Sequence, residues 1–94
     1  MGAQIGCPEQ EVWLISGDGS IMMNCQEMAT AAELGLPVKV IIMNNRGLGM
    51  VRQWQRFFFG NRYSNSKHEM DLDFAHLADA MGCTGCLLYT SRCV

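Results

Sequence analysis

Two features of the sequence predict an α/β fold, a parallel sheet with flanking helices. Residues 11–16 (Glu-Val-Trp-Leu-Ile-Ser) and 38–43 (Val-Lys-Val-Ile-Ile-Met) are apolar runs of strand length, separated by a segment long enough for a helix. Each run stops at a turn rich in oxygen ligands, Gly17-Asp18-Gly19-Ser20 after the first and Asn44-Asn45 after the second. Ligands gather beyond the carboxyl ends of parallel strands, so both turns are expected on one sheet edge.

Residues 1–6, with small side chains at close spacing, read as the end of a packed helix that further chain precedes, and residues 7–10 as a connector. The near-continuous apolarity of residues 11–16 predicts a strand buried on both faces. After the turn, Asn24 and Glu27 have the form of a capping box that opens a helix reaching Leu34. Met28, Ala31, Ala32 and Leu34 supply its sheet-facing side, while Gly35 and Pro37 stop it. Residues 38–43 then form the second strand, and a right-handed crossover sets both strand ends on the same side. The turn 44–47 leads into a helix over residues 48–58, with Leu48, Val51, Gln55 and Phe58 on one side, and residues 57–65 form an ordered surface loop. Asp73 caps a last helix over 74–81, Gly82 stops it, and residues 83–89 offer a third strand.

Composition narrows the classes. A chain of 94 residues with 49% hydrophobic and 17% charged residues is globular rather than disordered, and its eight methionines suit the gaps of a core. A net charge of −2 with scattered Lys and Arg leaves no basic footprint for nucleic acid. The apolar runs are far shorter than the roughly 20 residues of a membrane span, and no export signal opens the chain. Five cysteines form no even disulfide framework, which points to a reducing, cytoplasmic location.

The two turns combine usefully. Asp18 offers a hard anionic oxygen and Asn45 a neutral one, the donor set of a Mg²⁺ whose shell is completed by phosphate and water. Gly19 and Ser20 add backbone donors and a hydroxyl beside them. Each turn alone is a weak signal; their joint spacing, with the 24 residues from Ser20 to Met43 forming a helix and a strand, is a stronger one.

On those residues the chain resembles the thiamine-diphosphate-dependent enzymes, whose diphosphate-binding motif Gly17-Asp18-Gly19, the 24-residue gap and Asn44-Asn45 match. Within that superfamily, Gly17-Asp18-Gly19-Ser20, Asn24-x-Gln26-Glu27-Met28-x-Thr30, Leu36-Pro37-Val38-Lys39, the run from Leu48 through Trp54 and Arg62-Tyr63-Ser64 resemble the acetolactate synthase large-subunit family. The resemblance implies the thiamine-diphosphate-binding fold in incomplete form, over residues 1–86, followed by an atypical tail at 87–94 that reads as truncated or misjoined. It implies Mg²⁺ held by Asp18, Asn45 and the Gly47 carbonyl, and thiamine diphosphate held along Gly19, Ser20, Leu48, Gly49 and Met50. Trp54 would line the substrate channel. The implied reaction decarboxylates pyruvate on the cofactor and adds the product to a second 2-oxo acid, in branched-chain amino-acid biosynthesis. FAD would belong to the intact enzyme, a homo-oligomer with a possible regulatory small subunit. The activating glutamate lies on another domain in this family, so no catalytic residue is assigned here and the chain alone is expected to be inactive.

Other readings stay open beside it. Another decarboxylase or carboligase using the same cofactor, or a non-catalytic truncated segment, fits the same motif. Cys83-Thr84-Gly85-Cys86 has zinc or redox spacing but is half a metal site, and follows a helix rather than opening one. His68 and His76 read as a loop residue and a solvated helix residue. Arg52 and Arg56, four apart, either attract an anionic 2-oxo acid or form a solvated face.

Overall fold

The computed structural model describes residues 1–89. Its elements run α1 (Gly2–Gly6), β1 (Trp13–Gly17), α2 (Asp18–Ile21), α3 (Glu27–Glu33), β2 (Lys39–Met43), α4 (Gly49–Phe58) and α5 (Phe74–Ala80). Strands β1 and β2 pair in parallel, from Trp13 opposite Lys39 to Gly17 opposite Met43. Both strands therefore end on the same row, and the residues after them leave from one edge. The connection between them carries α2 and α3, as a parallel crossover requires.

Several local expectations hold for the stated reasons. Gly35 takes φ +62° after α3, and Leu36 N–H donates to Ala31 O at 2.9 Å, the paired bonds of a left-handed helix stop. Gly82 takes φ +78° after α5 in the same way, and Cys83 N–H donates to Ala78 O at 2.9 Å. Asp73 caps α5, its Oδ1 accepting from His76 N–H at 3.0 Å.

Other expectations are corrected. The capping box does not form: Gln26 precedes α3 without a side-chain cap, and Asn24 instead accepts Glu27 N–H through its backbone oxygen at 3.1 Å. Successive three-residue turns from Ser20 to Gln26 delay the helix until Glu27 and use the donors a cap would satisfy. The turn after β1 is itself helical, since α2 starts at Asp18 without any intervening loop. Residues 83–89 add no strand to the sheet, which has two strands among the described residues. The last five residues of the atypical tail, 90–94, lie outside the described residues.

The largest correction concerns burial. Trp13, Leu14 and Ile15 on β1 are 55%, 45% and 69% exposed, so the strand is not buried on both faces. Met22, Met23 and Met43 are exposed as well, and Ile21 is the buried hydrophobic residue of the described core. On α4, Gln55 turns inward while Val51 and Phe58 remain exposed. A pair of strands in one layer leaves both faces without a covering layer, whereas an α/β fold buries its strands between helices on either side. The radius of gyration, 15.6 Å, correspondingly exceeds the roughly 12 Å of a compact domain of this length. The end of α5 still docks on α3, where Cys83 Sγ lies 3.6 Å from Met28 O.

The helix α5 cap carries a pH signature. Asp73 is held below its ordinary 3.8 by the His76 backbone N–H and then by the His76 ring, and His76 is raised above 6.5 by the Asp73 carboxylate 2.7 Å away. The carboxylate's share of the stabilisation is present above pH 3.8 and lost as pH falls through its lowered value; the imidazole's is present below pH 6.5 and lost as pH rises through its raised value. An NMR titration of Asp73→Ala is expected to return the His76 pKa toward 6.5; an unchanged value would contradict the pairing.

Candidate functional site

The common end of the two strands builds the site. Asp18 follows directly on Gly17, the last residue of β1, and Asn44 follows on Met43 at the end of β2. Asp18 is 4% exposed, and a carboxylate so enclosed needs a donor. Gly47 supplies it: its N–H donates to Asp18 Oδ2 at 3.0 Å, a bond between residues 29 apart in the chain.

That N–H is free because of how the next segment is laid. Residues 64–68 run back over the turn as a strap, with Gly47 opposite Lys67 in an isolated antiparallel bridge. The two hydrogen bonds flanking the bridge come from His68 N–H to Arg46 O and from Leu48 N–H to Ser66 O, both 2.9 Å. Gly47 sits between them, and its own N–H points to Asp18 instead. Gln55 of α4 clamps the strap from the other side, donating through Nε2 to Ser64 O at 3.0 Å and accepting Ser66 Oγ at 2.5 Å.

Glycines close this arrangement. A Cβ on Gly47 would stand 2.5 Å from Ser66 O, and one on Gly19 would stand 2.6 Å from Leu48 Cδ2. The turn itself is held by Arg46 in the left-handed region at φ 56°, with Arg46 N–H donating to Asn44 Oδ1 at 3.2 Å. The Arg46 guanidinium is paired with the Asp71 carboxylate.

Of the residues singled out from the sequence, Asp18 and Gly47 are in direct contact, and Gly19 lies against Leu48. Asn45 is exposed two residues before Gly47, and its Nδ2 lies 3.2 Å from where a Gly49 Cβ would be. Ser20 is exposed on α2, and Met50 and Trp54 are exposed on α4 at 71% and 60%. Trp54 packs edge-on against Phe58, ring centres 5.9 Å apart, beside an open apolar groove of about 540 Å³ that Met50, Val51 and Phe59 help line. Arg52 stacks on the Tyr63 ring at 6.0 Å rather than standing free with Arg56. Cys83 is a free thiol while Cys86 is disulfide-bonded, so the two do not form a pair with each other, and no cluster of three or more His, Cys, Asp or Glu residues suited to a metal occurs among the described residues.

Sequence reasoning missed two members of this site. His68 Nε2 comes to 3.9 Å from Asp18 Oδ2, and Ser66 is 1% exposed beneath the strap. Fifty residues of chain and no periodic pattern connect His68 to Asp18, so no local signal marked it.

Comparisons with known proteins bear on the chain as a whole. The family model described as "Thiamine pyrophosphate enzyme, C-terminal TPP binding domain" matches residues 1–93. An acetolactate synthase of Mycobacterium avium is 52% identical over 89 residues, covering 90% of this chain and 14% of that protein. An acetolactate synthase large subunit of Pyropia yezoensis is 54% identical over 83 residues, covering 87% of this chain and 14% of its own length. The acetolactate synthase isozyme 2 large subunit of Escherichia coli is 48% identical over 85 residues, covering 90% of this chain and 16% of that protein. The chain thus spans about one seventh of the length of these relatives. Among solved structures, the Rhodococcus jostii RHA1 thiamine diphosphate-dependent 4-hydroxybenzoylformate decarboxylase superposes with a TM-score of 0.78 at 31% identity, over 86% of this chain and 15% of that one.

The two close glycine contacts differ in kind, which makes them testable. Gly47→Ala drives a Cβ into a backbone oxygen and is expected to cost about 1–3 kcal/mol, read as a lower urea midpoint. Gly19→Ala meets only the flexible end of Leu48 and is expected to cost less; equal midpoints for the two variants would show that the strap is not fixed over Gly47.

Proposed function

We propose that this chain, which belongs to the thiamine pyrophosphate enzyme family through its C-terminal TPP binding domain, is the metal- and diphosphate-holding part of an acetolactate synthase. The observation that carries the reading is the enclosed Asp18 carboxylate, brought against the Asn45-to-Gly47 turn by the common end of two parallel strands. An anionic oxygen in a nearly dry position, with one hydrogen bond to a backbone N–H, has lone pairs left for a hard cation. Leu48 Cδ2 stands 2.6 Å from where a Gly19 Cβ would be, so glycine at 19 is what lets Leu48 lie this close to the backbone after Asp18.

In this reading Asp18 and Asn45 hold Mg²⁺ through their side chains, with the Gly47 carbonyl as a third ligand. Gly19 and Ser20 contact the diphosphate, and Leu48, Gly49 and Met50 lie along the cofactor. Bound thiamine diphosphate supplies the carbon on which a 2-oxo acid loses CO₂. The chain's own residues hold and orient; none of them is assigned as acid or base. Trp54, exposed beside the α4 groove, lines the path of pyruvate and of the second 2-oxo acid. The assembled enzyme is a homo-oligomer in the cytoplasm that also carries FAD and takes a regulatory small subunit. No helix among the described residues is long and apolar enough to cross a membrane.

A decarboxylase on the same cofactor is the second reading, favoured by the Rhodococcus jostii neighbour. It keeps Asp18, Asn45 and Gly47 in the same roles and changes only the acceptor.

Calorimetric titration of the chain with thiamine diphosphate and Mg²⁺ tests the assignment. Asp18→Ala is expected to weaken binding at least about tenfold, since loss of even an outer-shell partner costs a metal site that much. Binding that is indifferent to Asp18 would favour a non-catalytic segment. The purified chain, lacking any residue assigned to activate the cofactor, is expected to show no pyruvate turnover; measurable acetolactate formation would contradict that assignment.

A further inference from the structure

We infer that Gln55 is a positioning residue for the Asp18 carboxylate: its side-chain amide ties the strap to α4, the strap fixes Gly47, and the Gly47 N–H aims the carboxylate. The consequence for a bound cation rests on the proposed role of Asp18. It puts control of the metal edge on the same helix that carries Met50 and Trp54.

The path is continuous. Gln55 Nε2 donates to Ser64 O at 3.0 Å, and the Ser66 hydroxyl donates to Gln55 Oε1 at 2.5 Å. Asn65 between them stands in the left-handed region at φ 51°, a conformation asparagine tolerates better than most residues. Both ends of one amide are thereby used on one short stretch of strap. Ser66 O then accepts Leu48 N–H at 2.9 Å, next to Gly47, whose N–H donates to Asp18 Oδ2 at 3.0 Å.

The strap depends on this tie. Its own pairing is an isolated bridge, Gly47 opposite Lys67, with no ladder to either side. A net hydrogen bond contributes no more than the entropy lost in ordering one residue, so the backbone bonds of the bridge alone do not hold residues 64–68 in place. Ser66 is 1% exposed, and its hydroxyl without Gln55 is a buried group lacking its partner. Lifting the strap returns that hydroxyl to water, but it also takes Ser66 O from Leu48 N–H and frees Gly47 to turn from Asp18. Gln55 is itself well placed to resist this. It is half-buried on α4, and its backbone oxygen accepts Asn61 N–H at 3.1 Å.

Amide hydrogen exchange of the full chain, followed by NMR in Gln55→Met, Gln55→Glu, Ser66→Ala and the double variant Gln55→Met/Ser66→Ala, tests the path, together with MgCl₂ titration of the same proteins and of Asp18→Ala. Methionine keeps the length of the side chain and removes both bonds, while glutamate keeps the acceptor for Ser66 and removes the donor to Ser64. The Gly47 N–H is expected to exchange about tenfold faster in Gln55→Met, the factor that one net hydrogen bond contributes, with Gln55→Glu between that and the natural sequence. The double variant is expected to be no worse than Gln55→Met, since Ser66→Ala removes the orphaned hydroxyl. The Leu36 N–H, bonded to Ala31 O at the end of α3, is the internal reference and is expected to keep its rate within about twofold, because the opening is local. Mg²⁺ binding is expected to weaken at least about threefold in Gln55→Met, short of the roughly 10–100-fold of a group bonded directly to a metal ligand. Equal acceleration of Gly47 and Leu36 in all the single variants at positions 55 and 66, or an unchanged Gly47 rate in both Gln55→Met and Ser66→Ala, overturns the inference. So does a Mg²⁺ affinity that falls in Asp18→Ala and is untouched in Gln55→Met. If Asp18→Ala leaves Mg²⁺ binding unchanged while Gly47 responds as expected, Gln55 still positions the carboxylate, and it is the assignment of Asp18 as metal holder that fails.

Discussion

The bond from Gly47 N–H to the Asp18 carboxylate is the constraint on which the site depends. It joins the turn after one strand to the residue after the other, and it satisfies a charge that is 4% exposed. A hydrogen bond to a charged group contributes about 1.5–3 kcal/mol net, and a carboxylate left without one in such a position costs more than that. The strand register makes the bond possible, because Gly17 and Met43 are partners and the chain leaves both strands on one row. The strap then decides which way Gly47 faces, since its flanking bonds use Arg46 O and Leu48 N–H and leave the Gly47 N–H to Asp18.

The rest of the fold is open around that fixed edge. The strands expose Trp13, Leu14, Ile15, Val40, Ile41 and Met43, and α4 exposes Met50, Trp54, Phe57 and Phe58. Apolar surface of this extent is characteristic of faces that meet further layers of structure. The chain corresponds to about one seventh of the length of the acetolactate synthases it resembles, so surfaces that are exposed here have counterparts within much larger molecules. Polar closure therefore stands out against a sparse apolar core: Ser66, Gln55, Gly47 and Asp18 form the most enclosed connected group around the edge.

Much of the fold was legible in the sequence because it is set locally. Short apolar runs marked both strands, Asp73 marked the start of α5, and Gly35 and Gly82 marked helix ends through the left-handed conformation they adopt. That the turns after β1 and β2 lie on one edge was legible because a parallel crossover fixes which side its ends face. Burial was not legible, since apolarity reports what a segment can bury and not whether a layer is there to cover it. The capping box failed because the backbone turns of residues 20–26 compete for the same donors. His68 and Ser66 were invisible for a different reason: their position comes from a strap pinned by backbone bonds, to which side-chain pattern gives no clue.

The central claim is that Asp18, Asn45 and Gly47 converge on one divalent cation at the common end of two parallel strands. Anomalous diffraction from a crystal of the chain soaked in MnCl₂ examines it without reference to activity. A Mn²⁺ peak is expected about 2.0–2.3 Å from Asp18 Oδ1 or Oδ2, from the Asn45 side-chain oxygen and from the Gly47 carbonyl. A peak confined to other residues, or an Asp18 carboxylate bonded only to Gly47 N–H in crystals that bind Mn²⁺ elsewhere, would contradict it.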